Sequence, residues 1–337
     1  MSKYSDTDRL LEVGLGYWHS KSFLTACRLN LFTVIEEGNN TVDQVAATLA
    51  LPLRTSRILM DAMISLGFLT KEAHVYATTS LSSDYLVDTK SAYMGEFFTA
   101  IDSIFFSPFV DFAQALQEDL PVWNFDKRTG KHTPISPKQS QLLTRGLHAL
   151  NRSTGMAFGR MCDLSNRKLL LDIGGGSGVM SINAVLNNPS LNAIVLDRPS
   201  TCTLAQDYIH AASLSHRVTT RESDFIRDVY SEAADVHLYS NVFQNLNLAL
   251  CRQLIEKSHK RLPPAGKLLI VEYLVNEERT SPSFGAFFNL FALVATAGGE
   301  ARTFHEYLTL LEEAGFCQIK VSDLYGPSSL IEAIKGD

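Results

Sequence analysis

Residues 169–178 read LLLDIGGGSG: an apolar run stops at an acid and is followed by four glycines in five positions. Glycines at a strand-to-helix turn let the backbone pass close to a ligand and present free amides, a layout used for nucleotides. Spacing decides which nucleotide. A dinucleotide fingerprint starting at Gly174 needs glycine or alanine at position 179, which is Val179; one starting at Gly176 needs it at 181, which is Ser181. The pyrophosphate reading fails in both registers. Asp197 closes the next apolar run, NAIVLD, 19 residues past Gly178, where the two oxygens of a carboxylate can take both hydroxyls of a ribose. Metal chemistry finds no support, because no His and acid pair has ligand spacing. The five cysteines are odd in number, scattered and without a CxxC pair, which argues against a zinc knuckle or disulfide frame and for a reducing cytoplasm.

The elements that position these residues follow from hydrophobic pattern. From residue 169 the short apolar runs LLLDI, NAIVLD, VHLYSN and KLLIVEYL are separated by stretches long enough for crossover helices, with RVTTRE read as a further strand, the third in order. That predicts an α/β, Rossmann-like, mostly parallel sheet with helices on both faces, binding ligand beyond the carboxyl ends of its strands. Through about residue 100 the pattern is mainly helical. TVDQVAATLA sets Thr41 three residues before Gln44, a capping-box spacing. RTSRILMDAMISLG then gives way to two short strand-like runs, FLTK and VYAT, outlining a winged helix. Its second helix offers only Arg54 and Arg57 among apolar residues, and the chain carries a net charge of −6 without a dense basic run, so a nucleic-acid partner is not expected. The apolar excess of GYWHSKSFLTACRLNLFTVI suits a subunit interface. No export core is visible at the start, and KLLIVEYLV is short and broken by Glu272, so no membrane partner is expected. Further helices, EFFTAIDSIFFSPFVDFAQAL and QLLTRGLHALNRSTGMAFGRM, flank a polar link, DKRTGKHTPISPK. With 337 residues, 45% of them apolar, the chain has enough material for two domains.

Asp172, Gly174, Gly176 and Gly178 together spell D-x-G-x-G-x-G, which resembles the first motif of class I S-adenosylmethionine (SAM) dependent methyltransferases, where the loop packs against the methionine part. SDF at 223–225 resembles the Asp-Phe pair that this family sets against adenine. The stretches DLSNRKLLLDIGGGSG, VLDRPS, SDF, SNVFQNL, LPPAGKLLIVE, GGEART and LLEEAGF, in that order behind a winged helix, are similar to the small-molecule O-methyltransferases of plant phenylpropanoid and bacterial natural-product pathways. The resemblance implies a winged-helix dimerisation domain over residues 1–95 and a SAM-binding catalytic domain over 96–337, with linker helices at about 96–165. It implies a homodimer whose N-terminal domains help roof the partner's cavity. It assigns SAM to Asp172, Gly174, Gly176, Asp197, Arg198, Asp224, Phe225, Ser240 and Asn241.

The resemblance breaks where chemistry is expected. The family has a His base after Ser-Asn-Val-Leu and an orienting Glu in Gly-Gly-x-Glu-Arg-Thr; here Gln244 stands at the base position, Asn245 at the following acid and Ala301 at the Glu, with Glu300 displaced by one. A glutamine amide only hydrogen-bonds. SAM already carries an excellent leaving group, so a base matters only where the nucleophile must lose a proton, and general-base help is worth about 10²- to 10⁴-fold. The expectation is therefore methylation of a small, aromatic or enolisable acceptor at O, N or C, with Gln244 positioning it. Two alternatives stay open: SAM-bound catalysis without methyl transfer, such as hydroxylation, decarboxylation or a pericyclic step, and a SAM-sensing regulator. His148 or His305 is a candidate replacement base, and Asn151, one turn from His148, a substrate contact. Phe288 and Phe291 join Phe105, Phe106, Phe109, Trp123, Phe287 and Met156 as candidate walls of a lipophilic cavity.

Overall fold

The computed structural model describes residues 6–230 and 233–336. The chain divides into two compact units, Met1–Ser107 and Pro108–Asp337. In the first, helices α1 (Asp6–Gly14), α2 (Gly16–Arg28), α3 (Leu31–Glu36), α4 (Val42–Thr48) and α5 (Leu53–Ser65) precede the antiparallel pair β1 (Leu69–Glu72) and β2 (Val75–Thr78). The Thr41–Gln44 capping box that starts α4 is formed. Leu31, Phe32, Met60, Met63 and Leu69 make a fully buried centre. After α6 (Ser80–Leu86), helix α7 (Gly95–Ala100) runs into a π turn, Ile101–Phe105. These extend the first unit past residue 95 because Phe98 packs edge-on against Phe23 of α2 at 4.8 Å, and buried Asp102 pairs with Lys21 and, at 3.1 Å, Arg28. Desolvating a carboxylate is costly unless it is paired, so the two cations tie the π turn to α2.

The second unit opens with α8 (Phe112–Glu118), a small hairpin of β3 (Phe125–Asp126) and β4 (Lys131–His132) inside the polar link, and the 25-residue α9 (Pro137–Met161), capped by Ser136 and Gln139. Next come β5 (Leu169–Ile173), α10 (Val179–Asn187), β6 (Asn192–Asp197), α11 (Pro199–Ala211), β7 (Val218–Glu222), β8 (Val236–Ser240), α12 (Leu248–Arg261), β9 (Lys267–Tyr273), α13 (Ser283–Ala295) and α14 (Phe304–Glu313). The chain ends in β10 (Phe316–Tyr325) and β11 (Ser328–Lys335). Helix α9 lies close on α10 because Gly159 has no Cβ, which would overlap the Asn183 backbone.

The sheet order is β10-β11-β9-β8-β5-β6-β7, parallel from β9 to β7, with the last hairpin antiparallel on β9. Four of the five parallel strands, β5, β6, β8 and β9, are the apolar runs expected from sequence, and lying inside the sheet they need no alternation, whereas β7 at the edge buries only Val218. Strand order reverses between β5 and β8, so the ligand crevice of such a sheet lies beyond their carboxyl ends. The glycine loop follows β5, Asp197 ends β6, Ser223–Phe225 follow β7, and Asn241–Gln244 follow β8, all at that edge. Among the described residues no helix is long and apolar enough to cross a membrane, and no group of His, Cys, Asp or Glu could hold a metal ion.

Candidate functional site

The glycine loop works by close approach and leaves its glycine amides engaged. Gly174 N–H and Gly175 N–H donate to the Leu196 carbonyl, Gly178 N–H to the Gly175 carbonyl, and Gly176 N–H to Asp197 Oδ2 at 2.9 Å. An anion already sits on Gly176, so a phosphate has neither free glycine amides nor a favourable field here. Gly174 adopts φ of +70°, and a Cβ there would come within 2.9 Å of Val242 Cγ2 and 3.3 Å of the Phe225 ring. That bareness lets the turns after β5, β7 and β8 converge.

Asp172 is fully buried beneath Gly175, where Oδ2 accepts from Ser181 Oγ at 2.7 Å and Oδ1 has no partner. Burial pushes its carboxyl up to about 6. Asp197 is 8% exposed, and the Arg198 amide donates to its Oδ1 at 2.7 Å, fixing the carboxylate at the end of β6 with lone pairs to spare. Asp224 is half-exposed, takes the Ile226 amide at 3.2 Å and faces Arg227 at 3.5 Å. Ser240 ends β8, and Asn241 follows in a left-handed conformation, φ 56°. Two carboxylates, a half-buried ring and a loop without free glycine amides suit a nucleoside bearing a positive charge, which is what SAM is.

Past β8, Gln244 lies in the short 3₁₀ turn Phe243–Asn245 and is 4% exposed. Its Nε2 donates to Asn241 Oδ1 at 3.2 Å, Asn241 Nδ2 donates to Asn151 Oδ1 at 3.0 Å, and Asn151 Nδ2 donates to the Leu147 carbonyl at 3.0 Å. A backbone carbonyl can only accept, so the polarity of this amide chain is set from its far end, and Gln244 is left with its acceptor, Oε1, buried and without a partner. Asn245 turns its amide back to the Asn241 carbonyl.

Two residues that sequence reasoning passed over hold this turn. Glu272, 1% exposed on β9, accepts from the amides of Phe243 at 2.8 Å and Gln244 at 3.4 Å, and burial raises its carboxyl to about 8. Arg302, fully buried, donates to the carbonyls of Phe243 at 2.9 Å and Leu246 at 2.6 Å. The signal for Glu272 was a lone acid inside an otherwise apolar strand. Ala301 is buried beside Arg302, whereas Glu300 pairs with Arg279 at 3.2 Å.

His148 does not share the amide chain; its Nδ1 lies 2.9 Å from Ser177 Oγ in the glycine loop, and its ring stacks on Tyr208 at 3.7 Å. His305 is exposed on α14. Phe288 and Phe291 neighbour one another at 5.7 Å, with Phe288 against Tyr273 at 5.4 Å, while Phe109, Phe287 and Met156 are exposed.

A family model described as the O-methyltransferase domain matches residues 109–317, and a second, the O-methyltransferase dimerisation domain, matches 11–88. The chain belongs to the O-methyltransferase family. It is a SAM-dependent methyltransferase with a Rossmann-like catalytic domain, as the motifs implied. This methyltransferase is 25% identical over 95% of its length to the 3-hydroxy-5-methyl-1-naphthoate 3-O-methyltransferase of Streptomyces sahachiroi, 92% of which is covered. It is 27% identical to the acetylserotonin O-methyltransferase of Bos taurus, with 92% of each chain covered. Its fold matches human N-acetylserotonin methyltransferase in complex with SAM at a TM-score of 0.90 and 24% identity, over 100% of both chains.

Proposed function

We propose that this methyltransferase modifies a small, planar aromatic or enolisable acceptor at O, N or C without a histidine base at position 244, and that SAM lies against Gly174, Gly176, Asp197, Arg198, Asp224, Phe225, Ser240 and Asn241. Asp172 supports that set from beneath the loop. When bound there, SAM supplies an activated methyl group on a cationic sulfur. Asp197 orients the ribose through its free lone pairs, Phe225 and Val242 keep water from the loop, and Gln244 keeps one unpaired acceptor oxygen, buried in this structure, that a donor on the substrate would engage once the turn admits it. The observation that carries the reading is the Asn151–Asn241–Gln244 amide chain. An amide locked in that polarity aligns a hydrogen-bond donor but takes no proton, so it serves nucleophiles that need little base help. The name of the Streptomyces sahachiroi relative prints O-methylation of a hydroxynaphthoate at position 3, which supports an aromatic acceptor.

The dimerisation match and the exposed Leu10, Leu11, Val13, Tyr17 and Trp18 of α1 and α2 support a homodimer through the first unit. Arg57 is engaged with Asp61 at 3.1 Å, which weighs against phosphate contact by the winged helix. A second reading, SAM-bound catalysis without methyl transfer, is favoured by the joint change at Gln244 and Ala301, since base and partner are both missing. Incubation with methyl-labelled SAM and candidate phenols, 2-oxo acids and N-heterocycles separates the two. A labelled product 14 mass units heavier, isotope aside, supports transfer, and an altered substrate with unconsumed SAM supports the second reading.

A further inference from the structure

Helix α9 reaches both flanks of the switch-point crevice within one turn. Asn151 meets Asn241 after β8, and three residues earlier His148 meets Ser177 after β5. The histidine contact is a built one. Ser177 is 5% exposed, its hydroxyl lies 2.9 Å from Nδ1, and the imidazole is stacked at an interplanar angle of 8° on Tyr208 of α11, the helix that begins two residues after Asp197. One ring thus joins the glycine loop to the helix behind the ribose carboxylate. Burial, with Arg152 nearby, holds the imidazole down to about 4, so it is neutral at physiological pH and adds no charge against a cationic ligand.

We propose that His148 is a positioning residue for the cofactor: it holds Ser177, and with it the glycine loop, in the shape that receives SAM. The proposal rests on placing SAM at this loop and replaces the expectation of His148 as a base. The glycine amides of the loop are spent on the sheet, on Asp197 or within the loop itself, so none of them ties the loop to α9, and the Ser177 hydroxyl makes that link through His148. A loop released from His148 samples more conformations, and the ligand must then order it on binding.

S-adenosylhomocysteine binding measured by calorimetry tests this without any acceptor. His148→Phe keeps a ring against Tyr208 and deletes the nitrogen; Ser177→Ala deletes the other half of the contact and leaves α9 untouched. Each is expected to raise Kd about tenfold, and the double variant no further, because both remove one interaction. His148→Asn, which keeps a polar atom, is expected to recover part of the loss. A Kd within twofold of the parent protein for either single variant, or losses that multiply in the double variant, overturns the proposal. Ser177→Ala decides the matter alone if the histidine variants do not fold. Parent protein that gave no heat would instead remove the cofactor site itself.

Discussion

Replacing Glu272 with glutamine tests how the turn bearing Gln244 is held. The carboxyl is buried, its Oε1 takes two backbone amides, its Oε2 has no partner, and its proton is retained to about pH 8 against an ordinary 4.5. A raised folded value means that the unfolded chain releases this proton first, so the contribution to stability is complete below about pH 4.5 and is lost as pH rises toward 8. For one proton the slope is at most about 1.4 kcal/mol per pH unit. Glu272→Gln presents the same carbonyl to Phe243 and Gln244 and cannot ionise. Its stability relative to the parent should be near zero at pH 5 and grow by a few kcal/mol by pH 8. Glu272→Ala leaves two buried amides unpaired at about 1 to 3 kcal/mol each and should be destabilised across the whole range. Urea unfolding at pH 5, 6.5 and 8, followed by Trp123 in a Trp18→Phe background, reads the second unit alone, because the chain has two tryptophans. A glutamine variant that loses stability against the parent as pH rises would mean that the folded carboxyl is ionised and that the reasoning is wrong.

Gln244→Ala should lower kcat roughly tenfold, the worth of one positioning hydrogen bond, in a labelled-SAM assay run where the variant, destabilised by about 1 to 3 kcal/mol through its lost bond to Asn241, is still fully folded; complete loss of turnover would give the amide more than an aligning role. Asp197→Asn should weaken S-adenosylhomocysteine about 10- to 100-fold by calorimetry, since a charge-assisted contact to the ribose is worth about 1.5 to 3 kcal/mol; unchanged affinity would move the ribose elsewhere. His237 is fully buried on β8, neither ring nitrogen has a partner, and burial holds it down to about 3. Its depressed value makes stability complete above about pH 6.5 and progressively lost toward 3, so His237→Leu should unfold at a lower acid midpoint by circular dichroism, and an unmoved midpoint would refute this.

What sequence shows depends on whether a residue's environment is local. LLLDI, NAIVLD, VHLYS and KLLIVEY are legible as strands because both faces of a parallel sheet are buried, leaving continuous apolar runs, and Thr41 with Gln44 is legible because a capping box closes over three residues. The hairpin of β10 and β11 is not: β10 lies at the sheet's edge with only Phe316 and Leu324 buried, so it has neither an apolar run nor an alternation. The motif positions Asp172, Asp197 and Asp224 stand out in sequence as equals, yet one lies beneath the loop, one is bonded to it and one is half-exposed, because burial is decided by strands far apart in the chain. His148 finds Ser177 29 residues away, a pairing that no local pattern announces. The same distance argument applies to the turn after β8. Gln244 was legible as a departure, but its consequence depends on Asn151 behind it and Glu272 beneath it. Together these fix a buried carbonyl oxygen at position 244, and the proposed function rests on an amide that can align a hydrogen-bond donor but cannot take its proton.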